Sequence, residues 1–207
     1  MLRFDVPQEN ATPAERQREL LLLARATLAE QGMADMEEYG DMLKWGLPKE
    51  AGRCRNLHVF HPDWCSFGDQ YRGTIHYHPG EIRGTILLGG LWHDTYEATP
   101  DPDGDRHLAG QTYSLTRHTR HQPVGTSYSL SSHVPHWIRP TALTLTYFEE
   151  EDNGEMGDLL EPATDETDEH TWSQADAEAL MPVLLAAIDA RLASLEPAVN
   201  AQLPPAA

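Results

Sequence analysis

The run from Gly73 to Gly90 constrains this chain more than any other, because Thr74-Ile75-His76-Tyr77-His78 reads as a strand carrying two histidines, closed by Pro79-Gly80. Residues i and i+2 of a strand point to one face. His76 and His78 therefore offer two imidazole nitrogens to one point, while Ile75 and Tyr77 face the other way. Such a pair is two-thirds of a three-ligand metal site. With 11 histidines in 207 residues some pairs arise by chance, so a third ligand has to be found elsewhere.

Gly125 to Pro140 supplies it. This stretch reads as a strand, a tight turn and a second strand, and Thr141 to Phe148 continues as an alternating, buried strand. Both His133 and His136 lie on it. The two compete for the third ligand position. The Pro135-His136-Trp137 context, with the spacing from Gly125, favours His136, and whichever of the two is not the ligand is then a rim histidine able to shuttle a proton.

The two stretches resemble the paired motifs of the cupin superfamily. The first family motif is His-x-His, three or four residues, Glu, six residues, Gly; here Arg83 takes the Glu position and Gly90 the Gly position. The second is Gly, five residues, Pro-x-Gly, two residues, His. Counted from Gly125, it places Ser131, His133 and His136 at the last three marked positions. The spacing is kept, and Arg83, Ser131 and His133 depart from the family's residue types. His76-x-His78-Pro79-Gly80 is also similar to the thiol dioxygenase branch, whose cupins use three histidines and no Glu. Arg55-Asn56-Leu57 resembles the segment whose Arg binds the substrate carboxylate there, and Tyr128 has a counterpart eight residues before the third His. Thr144, Thr146 and Tyr147 depart from that branch's Ser-His-Tyr relay. Gly84, Leu88, Gly90 and Trp92 resemble cupins that cleave carbon–carbon bonds of small ketones.

The resemblance implies a mainly β, cupin-like double-stranded β-helix, a jelly-roll barrel with N-terminal helices and a C-terminal helix. It implies a metal at His76, His78 and His136, Fe(II) first, with Zn, Mn, Ni or Cu as alternatives because three imidazoles select poorly among late divalent ions. Arg83, Arg55 and Tyr77 are the expected substrate contacts, with a guanidinium gripping an anionic end. Tyr128, His133 and Glu81 are the expected catalytic groups. Glu81 and Glu97 are rival fourth ligands. The expected activity is a dioxygenase acting on a small, anionic thiol or ketone with dioxygen as co-substrate; a Zn or Mn lyase or isomerase and a non-catalytic binding or sensor module are the alternatives. A homodimer is expected from the family.

Composition narrows the partners. A formal charge of −18, with only 15 Lys and Arg, argues against nucleic acid, whose phosphates need a basic surface. No apolar run approaches the ~18 residues of a membrane span, and no basic-then-apolar leader opens the chain, so a cytoplasmic location is expected. Cys54 and Cys65 do not make a disulfide framework and read as free thiols.

The organisation follows from periodicity. Residues 1–52 form an arm and a helical segment: Thr12-Pro13-Ala14-Glu15 is a capping box opening a helix that Gly32 stops, and a second helix is expected over about 33–45. Residues 53–149 form the barrel, with strands near 55–61, 72–78, 83–89, 91–97, 111–119, 126–131, 134–139 and 141–149. Asp94 to Gly110 is expected to be a long hairpin loop. Glu149 onward reads as solvated loop, with 150–172 an acidic linker or lid. Residues 173–207 form a helix opened at Ser173, kinked at Pro182, and a tail.

Overall fold

The computed structural model describes residues 11–33, 36–39, 42–61, 75–104, 106–108, 110–154, 158–159, 161–162 and 174–200. Expectations for Cys65, for a strand start at 72–74, for the Ser173 cap and for the tail lie outside these residues. The first helix, α1 (Pro13–Gln31), begins as its sequence dictates. The Thr12 hydroxyl accepts from the Glu15 N–H, and the Thr12 N–H donates to the Glu15 carboxylate at 2.8 Å. This satisfies two of the helix's orphan donors.

The expected second helix is instead a pair of strands, β1 (Met36–Tyr39) and β2 (Met42–Glu50). In β2, Leu43, Trp45 and Leu47 are buried, with Lys44 and Gly46 less so, which is the period of a strand. Tyr39 pairs with Met42, so the two runs make a tight antiparallel pair.

The remaining elements are β3 (Arg53–Phe60), β4 (His76–Tyr77), β5 (Ile82–Leu88), β6 (Gly90–Pro100), β7 (Arg106–Leu108), β8 (Gln111–Pro123), β9 (Ser127–Leu130), β10 (His136–Pro140), β11 (Thr144–Glu151), β12 (Asp158–Leu159), β13 (Glu161–Pro162) and α2 (Gln174–Asn200). The strands form a six-stranded sheet, β1-β2-β3-β11-β5-β9, and a seven-stranded sheet, β12-β4-β10-β6-β8-β7-β13. Setting aside β1, β2 and the short β7, β12 and β13, eight strands remain that pair first with last: β3 with β11, β4 with β10, β5 with β9, β6 with β8, all antiparallel. A ribbon paired in this way and rolled up so that alternate pairs fall in opposite sheets is a jelly roll. The fold class expected from the sequence is therefore present, with one N-terminal helix among the described residues rather than two.

Alternation decides what each face carries. On the six-stranded sheet, Leu43, Trp45, Leu57, Val59, Leu87, Leu145 and Tyr147 face α1 and α2 and pack with Leu21, Leu28, Leu184 and Ile188 as the main apolar core. The opposite face, toward the second sheet, carries His58, Phe60, Ile82, Ile86 and Phe148, which are buried and lie outside that core. The helices thus seal one side of the sheet and leave its other side to the barrel interior. α2 runs through Pro182 without a break in its helical assignment.

Two loop expectations change. β6 extends to Pro100 and pairs with β8 continuously from Gly90↔Pro123 to Pro100↔Tyr113, so the expected loop over 94–110 is mostly strand. Its acidity masked an alternating Thr95, Glu97, Thr99 pattern. Similarly, Glu149, Glu150 and Glu151 are not solvated loop: they complete β11, paired with Arg55, Cys54 and Arg53. Within the acidic segment, β12 pairs with β4 at one end of the seven-stranded sheet and β13 with β7 at the other, so that sheet curls until a single short segment spans its edges.

Candidate metal centre

β4 and β10 are antiparallel neighbours in a register that sets His136 opposite His76. His78 follows β4 directly, before the Pro79-Gly80 turn. The ring centroids of His76 and His136 are 4.5 Å apart, those of His76 and His78 5.1 Å, and those of His78 and His136 5.2 Å. One ring nitrogen from each lies within 4.8 Å of the others. His136 is buried and the other two are half-buried.

The donor set fits a late divalent metal ion. Burial, followed by the neighbouring His76, His93 and His78, holds His136 well below its usual pKa, so its ring is neutral and has a lone pair to give. Its Nδ1 lies 3.3 Å from the Val134 carbonyl oxygen. Donation from Nδ1–H to that oxygen leaves Nε2 as the ligating atom. Facing His78 from the other sheet, the Glu150 Oε1 stands 3.1 Å from His78 Nδ1.

Three further interior groups surround the triad. His93, on β6, is buried, with its ring 5.3 Å from His136; burial is the main cause that lowers its pKa to about 4. His58, on β3, packs its ring 4.8 Å from Phe148, and burial, then Lys44, takes its pKa to about 3. Tyr128, on β9, reaches across from the six-stranded sheet to put its ring 4.7 Å from His93, and burial raises its phenol above the ordinary value. Gly84 makes that reach possible, since a Cβ there would stand 2.3 Å from the Tyr128 ring.

The other expected site residues lie elsewhere. Arg83 sits on the outward face of β5, 54% exposed in its side chain, with its Nε donating to Glu81 at 2.8 Å. It does not point inward, because Ile82 and Gly84 hold the inward positions of that strand. Arg55 shares the helix-side face of β3 with Leu57 and pairs with Glu50. The sheet separates both guanidiniums from the triad. Glu81 is occupied by Arg83 and Arg53 at the surface, and Glu97, 77% exposed, faces His118, so neither joins the histidines as a ligand. Tyr77 faces away from the triad as alternation requires, with its ring 5.3 Å from His133. His133 has a left-handed backbone, φ 62°, and its N–H donates to the His78 carbonyl at 2.8 Å. Tyr77 and His133 instead line a pocket of about 390 Å³ with Tyr96, Tyr113 and Leu108, on the far side of the sheet from the triad.

His58, His93 and Glu150 are not singled out by the sequence pattern. Carrying strand alternation through β6 from Leu91, and through β11 from Thr144 to Glu150, places His93 and Glu150 on the inward faces.

The fold and the site together define a jelly-roll β protein with an interior three-histidine candidate metal centre. No protein-family model and no curated protein sequence matches the chain. Similar solved structures include hydroxypropylphosphonic acid epoxidase from S. wedmorenis, at 13% identity and a TM-score of 0.37 over 53% of this chain and 50% of that one. The Lactobacillus farciminis oxalate decarboxylase–formate complex matches at 12% identity and a TM-score of 0.41, over 60% of this chain and 33% of that one. A cupin-like protein of Thermotoga maritima matches at 14% identity and a TM-score of 0.37, over 62% and 82%. This chain thus spans about half the length of the epoxidase and a third of the decarboxylase. No helix among the described residues is long and apolar enough to cross a membrane.

Proposed function

We propose that the chain is a cupin-type metalloenzyme, a mononuclear oxygenase that holds Fe(II) on His76, His78 and His136 and acts on a small molecule with dioxygen as co-substrate. The observation that carries this reading is the convergence of three imidazole nitrogens inside the roll, with no carboxylate joining them in the ligand cluster among the described residues. A bound ion of this kind supplies a Lewis-acidic, redox-capable centre with open positions for small molecules.

The chain's own residues then bind, orient and exclude. His136, neutral and held at the Val134 carbonyl, keeps one nitrogen aimed at the centre. Tyr128 stays protonated across the ordinary pH range, so it is available as a hydrogen-bond donor and not as a base. Phe60, Ile82, Ile86 and Phe148 keep the interior dry, which strengthens every polar contact within it. Arg55 and Arg83 lie outside the roll, so neither guanidinium would meet an anionic substrate group at the triad.

One observation favours a second reading, a lyase or isomerase using Zn or Mn: His93 is neutral and buried beside His136, where it offers a base without oxygen chemistry. Metal analysis by plasma mass spectrometry, followed by oxygen uptake on the iron-loaded protein with thiols and small diketones, separates the two. About one Fe per chain with substrate-dependent oxygen uptake supports the oxygenase. Turnover without oxygen uptake transfers the reading to the lyase, and no bound metal in any preparation sinks both.

A further inference from the structure

We infer that Glu150 is a positioning residue for the three-histidine centre, fixing the tautomer and ring orientation of His78 from the opposite sheet. The inference rests on the metal-site reading above and adds to it a residue outside the ligand set.

Three consecutive glutamates end β11, and the strand sorts them. Glu149 pairs with Arg83 and Arg55 in register on the helix-side face, where it accepts from the Tyr147 hydroxyl at 2.7 Å. Glu151 is exposed, and its N–H is taken up by the Glu81 carbonyl. Glu150 alone shares the inward face with Thr146 and Phe148, and its Oε1 stands 3.1 Å from His78 Nδ1. The side chains are 23% and 20% exposed, so this contact is not screened as a surface pair would be.

A carboxylate can only accept a hydrogen bond, so the pair has one productive arrangement with a neutral ring: Nδ1 carries the proton and Nε2 carries the lone pair. Glu150 therefore does for His78 what the Val134 carbonyl does for His136. It also places a carboxylate behind the ligand, the outer partner that orients a metal-binding imidazole. Loss of such an outer partner typically weakens a metal site by about 10–100-fold. The contact depends on Gly80, because a Cβ there would stand 2.3 Å from the Glu151 carbonyl oxygen; without a side chain the Pro79-Gly80 turn closes against the end of β11 and carries His78 to Glu150.

The test is a Co(II) titration of the chelator-treated, full-length protein, with Glu150→Ala, Glu150→Gln and, as a control for loss of one nearby charge, Glu151→Gln. Affinity is expected to fall about 10–100-fold in Glu150→Ala. It should fall less in Glu150→Gln, whose amide oxygen still accepts, and change less than about threefold in Glu151→Gln. The second readout needs no metal: imidazole ¹⁵N spectra of the apo-protein should show His78 protonated at Nδ1 in the wild type and a tautomer mixture in Glu150→Ala. Equal affinities in Glu150→Ala and Glu151→Gln, or an unchanged His78 tautomer, would overturn the inference while leaving the metal site standing. A wild-type protein that binds no Co(II) would overturn the metal site itself, and this role with it.

Discussion

His136 stands directly opposite His76 across the β4–β10 ladder, with their ring centroids 4.5 Å apart, although sixty residues separate them in the chain. Directly opposed residues of an antiparallel pair share a face and come within side-chain contact. The ladder register thus brings the third histidine to the other two, and removes His133 from them by three residues and a change of face.

That register predicts unequal histidines. His136→Ala and His76→Ala should each reduce metal content from about one ion per chain to a small fraction of it, while His133→Ala should keep it. Plasma mass spectrometry on identically prepared proteins decides the point. Metal retained in His136→Ala and lost in His133→Ala would reverse the assignment.

Gly84→Ala should destabilise the fold by about 1–3 kcal/mol, since the new methyl group would overlap the Tyr128 ring. Pairing it with Tyr128→Ala should cost less than the sum of the two single changes. Denaturant melts of the four proteins in that cycle measure the coupling, and strict additivity would mean the ring moves aside freely.

Arg83→Ala should change stability by no more than about 0.5 kcal/mol and leave ligand binding unaltered, because the side chain is half-exposed and its ion pair among the described residues is with Glu81. Calorimetric titration with whichever thiol or diketone the oxygen-uptake screen yields checks this. A large rise in its dissociation constant would show that the outward position observed for Arg83 is not the one used in binding.

The buried His58 makes stability depend on pH in a defined direction. Its folded pKa of about 3 lies below the ordinary value of 6.5. Above pH 6.5 both states hold a neutral ring and nothing is lost. As pH falls from 6.5 toward 3 the unfolded chain takes up a proton that the folded one does not, so stability declines, by on the order of a few kcal/mol in all. Below about pH 3 the folded ring also protonates and this contribution levels off. In the apo-protein His58→Leu should flatten the melting-temperature profile between pH 6.5 and 4. A profile parallel to the wild type's would assign the slope to other groups, His93 first among them.

Gly80→Ala should lower both stability and metal affinity, because the turn it opens must back away from the Glu151 carbonyl and take His78 with it. Melting curves and the Co(II) titration report the two effects separately, and a stability loss with unchanged affinity would detach the turn from the site.

Local pattern in the sequence was enough for the elements whose period is unbroken. The capping box at Thr12 set the start of α1, the alternating runs from 53 to 149 announced eight strands, and His76-x-His78 announced a shared face, because each depends only on residues within one turn or one strand. Where the local pattern pointed to the wrong element, packing overrode it: Met36 to Trp45 satisfies a helical stripe loosely, yet Met36–Tyr39 and Met42–Trp45 pair as antiparallel strands, and Leu43 and Trp45 pack with the apolar residues of α1. Glu149 to Glu151 looked like solvated acid until pairing with β3 and β5 gave each side chain a face. Arg55 and Arg83 carry the right chemistry for an anion. Whether a guanidinium meets the triad or the solvent depends on which side of a sheet its residue occupies, and a shift of one residue inverts the answer. The sequence by itself therefore determined a jelly-roll class of chain with a paired-histidine strand. The tertiary structure decided which histidine completes the triad, which glutamate stands behind it and which cations are excluded, since these depend on the register between strands far apart in the chain.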